Sequence, residues 1–141
     1  MEPARAKPGR SLDDPRLFIN REPSSLAFNE RVLEEACDPT LPALERLTLL
    51  GILGSNLDEF FMIRVAGLKQ QLAGRVEETG PDAMTPAEQL AAIAEKAHEL
   101  VARQRRALLE DVLPTLQRNE IRLLIPTALP DGAAAFIAQR L

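Results

Sequence analysis

Apolar residues recur every three or four positions through most of this chain, and that period admits helices and little else. Phe28, Val32, Leu33 and Ala36 share one face of a segment that Ser24 can cap and that runs to about Cys37. Asp38-Pro39 and Leu41-Pro42 break it. A second helix is expected from about Leu41 to Leu53, where Leu44, Leu47, Leu50, Ile52 and Leu53 leave its later half almost no polar side. Such a helix lies buried among others and forms the centre of a core. Gly54-Ser55 reads as an interruption, followed by a third helix from Asn56 to Ala73 that Gly74 can close. Its stripe is Leu57, Phe60, Phe61, Val65, Leu68 and Leu72.

The strongest local signal is Thr85-Pro86-Ala87-Glu88, after a loop over 75–84. Thr supplies a cap, Pro suits the first helical position, and Glu completes a capping box. The helix it starts carries Leu90, Ile93, Ala97, Val101, Leu108 and Val112 and reaches about Leu113, where Pro114 weakens its end. The expected fold is therefore all-α, an antiparallel bundle of about four helices over residues 17–117. Residues 1–16, rich in Pro, Arg, Lys and Asp, read as a flexible tail. From Ile121 to Ile125 the pattern changes to that of a strand, followed by Pro126, and Pro130-Asp131 can open a further helix. A lone strand cannot satisfy its own backbone groups, so 118–141 reads as the truncated start of a second, α/β domain.

Composition narrows the function. A net charge of −4 disfavours nucleic acid, and Arg103, Arg105 and Arg106 read as a solvated helix face. No apolar run approaches the roughly 18 residues of a membrane span, and the N-terminus lacks a secretory apolar core. The single Cys37 excludes an internal disulfide and a cysteine-rich zinc site, and suits the cytoplasm. His98, the only histidine, has neither the partner nor the pocket that a catalytic base needs. No phosphate-cradling glycine loop, nucleophile elbow or metal-binding histidine pair is present. Residue types by themselves point to a non-catalytic helical module that binds another protein.

One segment departs from that bland picture: Ser55-Asn56-Leu57-Asp58-Glu59-Phe60-Phe61. Its simplest reading is a capping box, with Asn56 as cap and Glu59 reciprocating. The functional reading turns the Asn56 amide toward a ligand. Asp58 and Glu59 would repel phosphate, whereas an amide matches the donor–acceptor edge of adenine. Arg64 lies four residues after Phe60 on the apolar row, where a charge must be paired or must reach water.

The string Phe18-Ile19-Asn20-Arg21-Glu22, then Leu26-Ala27-Phe28-Asn29-Glu30-Arg31-Val32-Leu33-Glu34-Glu35-Ala36, resembles the opening of polyphosphate kinases of the phosphohistidine type. The resemblance is sharpest from Ser55 to Lys69, covers about residues 17–72, and echoes weakly at Leu116-Gln117-Arg118-Asn119-Glu120-Ile121. It implies an enzyme that reversibly moves the terminal phosphate of ATP to inorganic polyphosphate through a phosphohistidine, with Mg2+. The histidine and the metal-binding residues are expected outside this chain, and His98 does not match. The position matching Asn56 is the family's contact on the adenine side. A cytoplasmic homodimer or higher homo-oligomer is implied as well, with ADP as the other nucleotide, and passage to a head domain near residue 118. One departure stands out: the family's Leu-Ser-Trp is Pro23-Ser24-Ser25 here. That change bears on how the first helix seats, with no expected effect at Asn56.

Overall fold

The computed structural model describes residues 14–75, 79–124, 129–130 and 132–140. Most of the expected tail, the middle of the expected loop, and Ile125, Pro126 and Asp131 lie outside the described residues. Helix α1 spans Arg21–Cys37. Helix α2 spans Ala43–Glu59, passes through a π-helical turn at Phe60–Val65, and continues as α3, Ala66–Ala73. Helix α4 spans Pro86–Arg106, passes through a second π turn at Ala107–Val112, and continues as α5, Leu113–Arg118. A short α6, Ala133–Ala138, follows.

Polar contacts give the directions of these rods. On α1 and α2, Asn29 meets Asn56 while Ala36 meets Arg46, so the two helices are antiparallel. On α2 and the last rod, Leu50 meets Gln104 while Arg46 meets Asp111, again antiparallel. The five residues between α1 and α2 leave no other arrangement for adjacent helices. The fold is thus the expected all-α bundle, in which α1 to α4 pack around one core. Leu26 and Leu33 of α1, Leu53 of α2, Ile93 of α4 and Val112 of the second π turn are its largest fully buried members.

Local signals held where they were strong. Thr85 Oγ1 accepts from the Glu88 N–H at 3.3 Å and Glu88 Oε2 accepts from the Thr85 N–H at 2.8 Å, completing the capping box. Gly74 ends α3. Several expectations need correction, among them the burial of α2 on nearly all sides, since Leu44 and Ile52 are 51 % and 45 % exposed and one face of the helix meets solvent. Asn20, not Ser24, caps α1, its Oδ1 accepting from the Glu22 N–H at 2.9 Å; Pro23 is tolerated because the first turn has N–H groups without intrahelical partners. The buried face of α1 is Leu26, Asn29, Leu33 and Ala36, and Phe28 is 60 % exposed. Gly54-Ser55 does not interrupt the chain, and α2 runs through it. Gly costs a helix interior only about 1 kcal/mol, far less than burying Leu53 and Leu57 on either side returns. Finally, residues 121–124 form no strand. Among the described residues no second strand exists to pair with them, and an unpaired strand has no ladder to hold it.

The two π turns explain two further surprises. Pro114 does not end the last rod, because a helix that widens just before it relieves the clash between a proline ring and the preceding turn. Phe60 and Val65, five residues apart, are both buried, and an i→i+5 turn brings them closer to one face than the roughly 140° separation of a regular α-turn.

An ion-pair network joins α1 to α4. Glu30 lies 2.8 Å from Lys96 Nζ and 2.7 Å from an Arg103 guanidinium nitrogen. The hydrogen bond from Lys96, then that from Arg103, holds the Glu30 carboxyl below its ordinary value. A depressed carboxylate contributes stability above its unfolded pKa and loses it as pH falls through the folded one. Glu30→Gln is therefore expected to lower Tm by a few degrees at pH 7, with the gap between wild type and variant narrowing as the pH falls below the ordinary glutamate range and through the lowered Glu30 value. Thermal melts at pH 7 and in acid check this; a gap that persists in acid would assign the loss to packing.

Candidate functional site

The site is assembled from two asparagines on facing helices. Asn29 occupies the core stripe of α1 between Leu26 and Leu33 and is 3 % exposed. Its Nδ2 donates to the Ser25 carbonyl at 3.0 Å. That bond orients the amide and turns Oδ1 toward α2, where it accepts from Asn56 Nδ2 at 3.0 Å. The chain of donors in turn orients Asn56, so that its Oδ1 and second Nδ2 hydrogen remain available. Asn56 sits within α2 and not at a cap, so the capping-box reading is overturned. Its backbone N–H is satisfied by the helix, and its side chain is free for other work.

Asn56 and Asn29 line a cleft of about 330 Å³ between α1 and the first π turn. That volume is at the small end of the roughly 300–1,000 Å³ typical of ligand pockets. Phe28 forms an apolar wall, and Ile63 and Arg64 come from the π turn. The extra residue in that turn takes Arg64 off the apolar row to which a regular helix would assign it. Arg64 is exposed and makes no salt bridge among the described residues, although Glu59 lines the same cleft. The cleft is thus mixed in charge, with one aromatic face and one oriented amide. It can take a planar, hydrogen-bonding, uncharged group, but it is a poor place for a phosphate.

Ser25 lines this cleft as well. The substitution expected to leave Asn56 untouched therefore bears on it directly, because residues 25, 28 and 29 share the face of α1 turned to Asn56. A small hydroxyl there leaves space that a large aromatic ring would fill.

The other singled-out residues go elsewhere. His98 is exposed, its Nδ1 bonded to the Ala94 carbonyl at 2.6 Å. It borders an apolar groove of about 590 Å³ between the first π turn and α4, with Phe61, Val65, Ile93 and Val101. Arg103 pairs with Glu30, while Arg105 and Arg106 are exposed, so the basic cluster does not act together. Cys37 is exposed and free. Among the described residues no group of three His, Cys, Asp or Glu could hold a metal, and no helix is long and apolar enough to cross a membrane.

Sequence reasoning missed Asn29 and missed Phe28 as a cleft wall. Asn29 was discoverable, since a polar residue on the spacing Leu26, Asn29, Leu33 interrupts a core stripe. Only the register of α1 against α2 shows that it meets Asn56.

Residues 18–124 match the family model described as the polyphosphate kinase N-terminal domain. The chain is 51 % identical over 113 residues to the polyphosphate kinase of Pseudomonas aeruginosa, covering 80 % of this chain and 16 % of that protein. It is 48 % identical over 130 residues to that of Halalkalibacterium halodurans, covering 92 % and 18 %. It is 51 % identical over 115 residues to that of Bacillus anthracis, covering 81 % and 16 %. The chain spans about a sixth of the length of the curated relatives it matches. No solved structure matches it.

Proposed function

The chain belongs to the polyphosphate kinase N-terminal domain family, and from that premise we propose that it serves an enzyme which reversibly transfers the terminal phosphate of ATP to inorganic polyphosphate. Its own part in that reading is to hold the nucleotide by its base. The observation that carries this is the Asn56 amide, oriented through Asn29 and left with one acceptor and one donor beside the exposed Phe28 ring. That pair of groups complements the exocyclic amine and ring nitrogen of adenine, while the ring packs against the base. The mixed charge of the cleft keeps the phosphates outside it, toward the remainder of the enzyme.

The phosphohistidine belongs, in this reading, to residues beyond this chain, since His98 is exposed and bonded only to its own helix. Magnesium would screen the phosphate charge. The described residues do not fit it, with no cluster of three possible ligands among them. The stretch from residue 118 onward begins the head domain, and the assembled enzyme is a cytoplasmic homodimer or higher homo-oligomer that also uses ADP.

The test compares bases in the full-length enzyme. Asn56→Ala is expected to raise the apparent KM for ATP about 2- to 10-fold, the equivalent of one neutral hydrogen bond. It should also bring the kcat/KM ratio of ATP to inosine triphosphate toward one, because the amine that distinguishes them loses its acceptor. An unchanged ratio with a lowered Tm would leave Asn56 only its bond to Asn29. The second reading, a helical protein-interaction module without a nucleotide role, draws on the apolar groove beside His98.

A further inference from the structure

Among the described residues, Arg64 is the only cation lining the Asn56 cleft, and it makes no ion pair there. Two carboxylates share its surroundings. Glu22 borders, together with Arg64, a smaller pocket of about 130 Å³, but its Oε1 is already held by Arg21 Nη2 at 2.9 Å. Glu59 lines the Asn56 cleft five residues earlier on the same rod, yet the two side chains do not come within ion-pair distance. Arg64 is exposed as well, so it neither satisfies a buried group nor fills core space. The fold gives this guanidinium little to do.

Its place in the cleft gives it a use. Phe28 contributes a ring that is 60 % exposed from α1, and Ile63 and Arg64 stand on the π turn across from it. Asn56 presents its oriented amide from α2 to the same space. A planar base whose edge meets Asn56 therefore turns one face to Phe28 and the other to the π turn. A guanidinium is planar and weakly hydrated and lies flat on π surfaces, whereas an ammonium is a compact, strongly hydrated point charge. A phosphate is the commoner partner of an arginine, but the Glu59 carboxylate lines this cleft too and repels one.

On the reading that this cleft takes the base of the nucleotide, we infer that Arg64 is the second jaw of a base clamp, stacking on the face of adenine opposite Phe28. Asn56 then reads the edge of the base, while Phe28 and Arg64 hold its two faces. The π turn matters here because it takes Arg64 off the core row and onto the cleft wall.

The test uses the full-length enzyme with Arg64→Ala, Arg64→Lys and Asn56→Ala. Arg64→Ala is expected to raise the apparent KM about 2- to 5-fold for ATP and equally for inosine triphosphate, because stacking does not read the amine. The kcat should stay unchanged, since a base contact is the same in the ground and transition states. Arg64→Lys should not recover the KM, since it keeps the charge and loses the plane. Competitive inhibition by adenosine, which has no phosphate, should weaken by the same factor as ATP binding. The Tm should stay at the wild-type value, and a fall in Tm accompanying the rise in KM would overturn the clamp in favour of a structural role. Recovery by Arg64→Lys, or an unchanged adenosine inhibition constant, would overturn it in favour of a phosphate contact. An unchanged KM for Arg64→Ala beside a shifted ATP-to-inosine-triphosphate ratio for Asn56→Ala would remove the clamp alone. An Asn56→Ala enzyme with wild-type KM and ratio would remove the base site and the clamp with it.

Discussion

Leu53→Ala is expected to cost the bundle about 3–4 kcal/mol and to lower Tm by roughly 15 °C or more. Leu53 is wholly buried at the middle of α2, with Leu50 and Leu57 one turn to either side and also buried. Removing three carbons there loses their transfer free energy, and the cavity left behind adds to the loss because three rods close around it. A small domain has only about 5–15 kcal/mol of net stability, so the variant should sit near the edge of folding at 37 °C. Urea and thermal unfolding followed by helical circular dichroism measure the change. Leu53→Met, nearly equal in volume, should lose less than about 1.5 kcal/mol. A loss below about 1 kcal/mol for Leu53→Ala would mean that the bundle collapses into the space and that the core lies elsewhere.

The second large effect is expected at Arg46, a charge that is 3 % exposed. Its Nε donates to the Ala36 carbonyl at 2.8 Å, and its Nη2 bonds Asp111 Oδ2. One planar guanidinium thus ties the end of α1 and the second π turn to α2. Arg46→Ala leaves the Ala36 carbonyl without that donor and removes the aliphatic stem. The stranded Asp111 is half exposed and can turn to water, which keeps the loss below that of a fully buried pair. About 2–3 kcal/mol is expected. Arg46→Lys should recover only part of it, since an ammonium lacks the fork that reaches both partners. The Asp111 carboxyl is held below its ordinary value chiefly by Arg46, so the pair stabilises above about pH 4 and fades in acid. The gap between wild type and Arg46→Ala should narrow there, and a gap constant with pH would leave only the packing loss.

The legible parts of this molecule were those whose cause is local. The Thr85–Glu88 box, the breaks at Asp38-Pro39 and Leu41-Pro42, and the stop at Gly74 each depend on atoms within a few residues of one another. The heavy apolar load of α2 was only half informative: Leu50 and Leu53 are buried, but Leu44 and Ile52 are exposed. The family string centred on Asn56 singled out that residue although its expected local role was mistaken. Arg64 drew notice for its spacing, yet its freedom depends on a π turn that the residues 60–65 do not announce.

By itself the sequence determined that the chain is helical, where α4 begins, and to which family it belongs. Only the tertiary structure decided that residues 54–56 stay in the helix. Local preferences at Gly54 and Asn56 amount to about 1 kcal/mol each, whereas the burial of Leu53 and Leu57 with their neighbours is worth several. Distant groups complete the choice: Gln104 bonds the Leu50 carbonyl from another rod, and Asn29 accepts from Asn56 across 27 residues of chain. The same long-range packing turned Phe28 outward and took Arg64 off the core row. These are properties of which faces meet, and no short window of residues contains the other face.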